Sequence, residues 1–164
     1  MKKVFAAVLV CLMLCSCGSA NTVKPTLLGT EFTAKMTYYN EQYSFDGKIT
    51  EDGKLIARLS EPEELSDITL TLDGEQTIAE YKGITYTPIE GNMPFSAVME
   101  RFYLPIKDMA YKESVELDSD GAAKDTQGYK FYLAPTGLPN RLNIGDENFS
   151  ITFYDISICE DVND

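Results

Sequence analysis

The chain has 164 residues, with 14 basic residues against 26 acidic ones and neither histidine nor tryptophan. Without histidine, the commonest general base and the commonest metal ligand are missing, which excludes histidine-based hydrolytic and metal chemistry. The acidic surplus repels phosphates, making nucleic acid and anionic lipid headgroups poor partners.

The N-terminus reads Met1-Lys2-Lys3, then an apolar run from Val4 to Leu14. This is a charged n-region followed by an h-region. The run is shorter than the roughly 20 apolar residues needed to cross a hydrocarbon core, and no later stretch approaches that length. It ends in Leu14-Cys15-Ser16-Cys17-Gly18, which matches the lipobox of bacterial lipoproteins: an aliphatic residue, two small ones, then the cysteine that accepts diacylglycerol before cleavage. Residues 1–16 are thus expected to be a lipoprotein signal peptide, with Cys17 the lipid-bearing first residue. The alternative is an ordinary signal peptide cut after Ala20, discarding Cys17.

Removing Lys2 and Lys3 leaves 12 basic residues against 26 acidic ones, a net charge of −14. Cys11 and Cys15 depart with the signal and Cys17 takes the lipid, so Cys159 has no partner within the chain and no structural disulfide is expected. Residues 17–29 are small and polar without periodicity and read as a flexible tether. Residues 30–158 suit one domain, and 159–164 form an acidic tail.

Within the domain, alternation dominates. Phe32, Ala34, Met36 and Tyr38 share one face of a strand, and Tyr43, Phe45 and Ile49 share that of the next. Asn40-Glu41-Gln42 and Glu51-Asp52-Gly53-Lys54 supply turns, so a third strand through Leu55, Ala57 and Leu59 completes a meander. A fourth carries Ile68, Leu70 and Leu72, and two short strands follow at Thr77 to Tyr81 and Ile84 to Thr87. From Pro94 the period changes: Phe95, Val98, Met99, Phe102 and Ile106 are three or four apart, which is helical. Pro105 predicts an end or kink near Tyr103, with Ile106 to Met109 as a second turn. The chain then returns to strands at Val115 to Leu117, Gly128 to Leu133, Leu138 to Ile144 and Phe149 to Ile158.

The order of strands, one helical insertion and further strands, with the turn Pro135-Thr136-Gly137-Leu138-Pro139 before Arg141-Leu142-Asn143-Ile144 and Phe149-Ser150-Ile151-Thr152-Phe153, resembles the Lol-type lipoprotein-carrier superfamily. The resemblance covers most of the domain. It implies a mainly β fold, a curved antiparallel half-barrel with the helical insertion packed on its concave face and an apolar groove between them. A lipid-anchored member of such a group is expected to act as a receptor or local binder.

The residues expected to line the groove are Phe32, Met36, Tyr38, Phe45, Leu70, Phe95, Met99, Phe102, Phe131 and Phe153. Such apolar walls suit acyl chains, and the same residues equally suit a filled core. No Gly-rich phosphate loop or Gly-x-Ser-x-Gly elbow is present, so no catalytic residues, metal or cofactor are expected. The acidic clusters Asp118-Ser119-Asp120-Gly121 with Asp125, and Glu61-Pro62-Glu63-Glu64, read as solvated turns, with calcium as the alternative. The sequence therefore predicts a non-catalytic lipoprotein on the outer face of the cell membrane, or of the outer membrane where there are two, binding lipid-like or lipidated cargo. The alternative is an envelope protein-protein interaction module with a filled core.

Overall fold

The computed structural model describes residues 21–87, 94–124, 126, 128–145 and 148–159, with side chains in the helix described from Ser96 onward. The signal peptide 1–16, Cys17 and residues 160–164 of the acidic tail lie outside the described residues.

The strands are β1 (Asn21–Val23), β2 (Thr30–Tyr38), β3 (Glu41–Ile49), β4 (Leu55–Glu61), β5 (Thr69–Leu72), β6 (Thr77–Tyr81), β7 (Ile84–Tyr86), β8 (Val115–Leu117), β9 (Tyr129–Leu133), β10 (Pro139–Ile144) and β11 (Phe149–Ile158), with one helix, α1 (Pro94–Ala110), between β7 and β8. Nine strands form one antiparallel sheet in the order β7-β6-β5-β4-β3-β2-β11-β10-β9, which does not close into a barrel. The period of two explains it: Phe32, Ala34 and Met36 on β2 are buried while Glu31 and Lys35 are exposed, so one face of the sheet is predominantly apolar. The hairpins fix the register. Thr50 Oγ1 accepts the Lys54 N–H at 2.9 Å and donates to Asp52 at 2.5 Å, closing the β3–β4 turn.

Helix α1 buries Val98, Met99, Phe102, Ile106 and Met109 against that face, with Tyr103. It runs unbroken through Pro105, where an end or kink was expected. Pro105 removes the donor that the Arg101 carbonyl would accept. Arg101 lies on the exposed side, where solvent can take that place, and the turn beyond Pro105 buries Ile106 and Met109 completely. Polar contacts fasten the helix to the sheet. The hydroxyls of Tyr103 and Tyr111 donate to the carbonyls of Gly53 and Asp52, each at 3.1 Å, and Lys107 donates to the Asp73 carbonyl at 3.3 Å.

The segment expected as a tether is folded from residue 21. Asn21–Val23 pairs antiparallel with Val115–Leu117, Leu27 is fully buried, and the Thr26 N–H donates to the Gly137 carbonyl at 2.9 Å. Gly137 is required there: its φ is +84°, and a Cβ would stand 1.9 Å from the Lys24 carbonyl oxygen. Next to β8, residues 121–123 lie along the outer edge of β9. Ala122 bridges Tyr132, the Ala123 N–H donates to Phe131 and the Leu133 N–H to Gly121. Cys159 is unpaired, and its N–H donates to the Gly29 carbonyl at 2.7 Å.

Candidate functional site

The structure brings eight of the ten predicted groove residues together in one buried cluster. Phe32, Met36, Phe45, Leu70, Met99, Phe102, Phe131 and Phe153 are each at most 5 % exposed and belong to one cluster. Their rings interlock: Phe32 meets Phe153 at 5.1 Å and Phe45 at 6.3 Å, both edge-on, and Phe131 stacks on Phe153 at 6.2 Å. Tyr38 is half-buried against Phe149 at 4.3 Å, and the Phe95 side chain lies outside the described residues. The groove expected along these residues is therefore closed in this structure.

Open space remains at one end, where the sheet extends past the helix. A cleft of about 430 Å³ lies there, lined by Leu72, Gly74, Thr77, Glu100, Tyr103 and Leu104 among others. Thr77 spans it, its hydroxyl donating to Glu100 at 2.6 Å. Beyond the cleft the apolar face continues uncovered. Ile84 is 70 % exposed and Tyr86 45 %, and Tyr81, the register partner of Ile84, is 42 % exposed. On the helix, Leu104 is 64 % exposed. β7 pairs with β6 on one side and with no other strand among the described residues, so its other side offers free N–H and C=O groups.

The charge around this end is mainly negative. Glu75, Glu80 and Glu100 are exposed, while Lys82 lies over the Tyr81 ring at 4.8 Å. The sequence signal for this end is short: a three-residue strand whose apolar residues, Ile84 and Tyr86, alternate where the meander stops.

The acidic clusters are turns. The Asp118 carboxylate accepts the N–H groups of Asp120 at 2.8 Å and Ala122 at 2.9 Å, and these bonds hold it below the usual carboxylate range. Asp125 lies outside the described residues. Glu61 accepts the Ser44 hydroxyl at 2.5 Å, and Glu63 and Glu64 begin a single 3-10 turn. Among the described residues no three acidic or cysteine side chains converge as a metal would require. Two tyrosines next to carboxylates titrate late. Burial, then Glu41, pushes Tyr43 up to about 12, and burial, then Asp108, raises Tyr129.

No protein-family model matches the chain, and no curated protein is significantly similar to it.

Proposed function

We propose that this protein is a non-catalytic, lipid-anchored binding module of the cell envelope, held by Cys17 to the outer face of a membrane. Its partner is an extended polypeptide segment that pairs with the β7 edge. The carrying observation is the division of the apolar surface: the central residues are consumed by the core, whereas Ile84, Tyr86 and Tyr81 stay exposed at a strand whose outer side has no partner strand among the described residues. An added strand would satisfy the free backbone groups of β7 and cover these side chains, as in strand-addition recognition. Glu75, Glu80 and Glu100 favour a segment carrying lysine or arginine.

The lipobox at the end of an h-region supports the anchor, and the lack of histidine supports a non-catalytic role. An unclosed sheet with a helix on its concave side is compatible with a Lol-type relation. The reading places the partner at the sheet edge, with the buried cluster serving as core.

The test is a photo-crosslinking amino acid placed at Thr85, on the free edge, and at Ser150, on a central strand, in cells making the full chain. The reading expects one discrete protein adduct from position 85, lost with Ile84→Asp, and no protein adduct from position 150. Adducts of lipid alone from position 85, or a pattern indifferent to Ile84→Asp, would refute it.

A further inference from the structure

The outer face of the sheet is unevenly charged. Tyr132, Arg141, Thr152 and Lys35 form one cross-strand row over β9, β10, β11 and β2. Lys130, Asn143, Ser150 and Thr37 form the row beside it. All of them point away from the core, since they alternate with the buried Phe131, Leu142, Ile151 and Met36. The two rows hold three cations and no carboxylate, although the chain carries 26 acidic residues.

The boundaries are sharp. Asp120 borders Arg141 on one side, Glu61 lies beyond Ser44 on the other, and the next row brings Asp46 opposite Thr33. The belt cations share with Lys24, Lys82, Arg101 and Lys107 the lack of a salt bridge among the described residues. Lys48, Lys54, Arg58, Lys112 and Lys124 each have a carboxylate partner. Lys35, Lys130 and Arg141 have none among the described residues, and the Arg141 guanidinium lies flat-side to Tyr132, 4.4 Å from its ring centre.

The belt is also connected to the anchored end of the chain. Asn21 pairs with Leu117, Leu117 bridges Ala123, Ala122 bridges Tyr132, and Tyr132 pairs with Arg141. Cys17 precedes Asn21 by four residues, a reach of at most about 14 Å. A lipid on Cys17 would thus hold this side of the molecule near the bilayer.

We propose that the outer face of β9, β10, β11 and β2 rests on anionic phospholipid headgroups, orienting the domain so that the β7 edge faces away from the membrane. This rests on the reading of Cys17 as the lipid anchor. An acidic domain held at an anionic surface is repelled least in an orientation that presents cations, and the two rows present three with carboxylates only at their borders. Tyr132, half-buried beside Arg141, suits the interfacial zone, where an aromatic ring meets polar groups.

The absence of tryptophan supplies the test, because one introduced indole reports alone. Tyr132→Trp marks the belt and Tyr86→Trp marks the far edge. Each acylated full chain is reconstituted in phosphatidylglycerol vesicles doped with a headgroup nitroxide lipid. Quenching by about twofold or more is expected at position 132 and little at position 86, with the difference erased by high salt or by the pair Lys35→Glu and Arg141→Glu. Acylated, vesicle-bound protein quenched equally at both positions would overturn the orientation alone. A mass without diacylglycerol and no vesicle association would overturn the anchor and the orientation with it. Position 132 shielded by an added anionic glycan polymer, with no quenching by vesicles, would overturn the membrane in favour of a glycan.

Discussion

Phe102 is fully buried on α1, 6.0 Å from Phe149, so truncating it to alanine opens the centre of the molecule. Losing the buried ring costs about 2 to 3 kcal/mol in transfer free energy. The vacated space, roughly 100 Å³ before relaxation, adds about 2 kcal/mol. A destabilisation of about 4 kcal/mol follows, within the range known for such substitutions, and it lowers the thermal midpoint by roughly 10 °C or more. Denaturant and thermal unfolding of the signal-free chain measure both. A second readout concerns the cavity itself: walls of Met99 and Phe149 should keep it dry, so benzene is expected to raise the midpoint of Phe102→Ala and leave the parent unchanged. If Phe102 instead faced a ligand groove, the loss would be under about 1 kcal/mol and the parent chain would already take up an acyl probe. That result would refute the filled-core argument.

Ile84→Asp, at a 70 % exposed position, is expected to change unfolding stability by less than about 0.5 kcal/mol while abolishing the adduct formed from position 85. Gly137→Ala should release the first strand, because its Cβ meets the Lys24 carbonyl; faster amide exchange at Val23 and Thr26, with the central strands still protected, is the signature. Stability should fall at both pH extremes. Asp73 is held low by the N–H groups of Gln76 and Glu75, Asp108 by the Tyr129 hydroxyl and Asp118 by the N–H groups of Ala122 and Asp120. Their stabilisation is complete above the ordinary carboxylate pKa and is lost as pH drops below about 4. Tyr43, raised to about 12, works in the opposite sense: its contribution is complete below the usual phenol value of about 10 and disappears as pH climbs through 12. Denaturant midpoints across the pH range, with phenolate absorbance at the alkaline end, check both limbs. Cys17→Ser is expected to move the protein from the membrane to the soluble fraction with no change in thermal midpoint, measured by fractionation and calorimetry.

The strands were legible because alternation is a local property. Phe32, Ala34 and Met36 announce the inner face of β2, and the turns at Asn40-Glu41 and Asp52-Gly53 place β3 and β4 in register with it. What depended on distant partners was not legible. Asn21–Val23 is too short to show a period, and its partner, Val115–Leu117, follows the helix, so the segment reads as a tether. Pro105 marks a break by its own chemistry, and the burial of Ile106 and Met109 that carries the helix past it depends on the sheet below. The groove residues show the same division. Periodicity identifies which side of α1 and which side of the sheet are apolar, and Met99, Phe102 and Phe131 are correctly assigned to those sides. The separation of the two surfaces is set by how their side chains interlock, and no pattern in the sequence carries that distance. The β7 edge has the opposite difficulty: Ile84 and Tyr86 look like ordinary core residues until the helix is seen to fall short of them.

Residues 121–123 occupy one border of the nine-stranded sheet, and β7 leaves the opposite border without a partner strand among the described residues. Among the described residues the nine-stranded sheet therefore has one border open to strand pairing. It can terminate a growing sheet or accept a single guest, and two copies meeting through β7 would use up both free borders and stop. Head-to-tail growth through the nine-stranded sheet needs a second compatible border, which the strap along β9 removes, so copies joined through this sheet alone would stop at pairs.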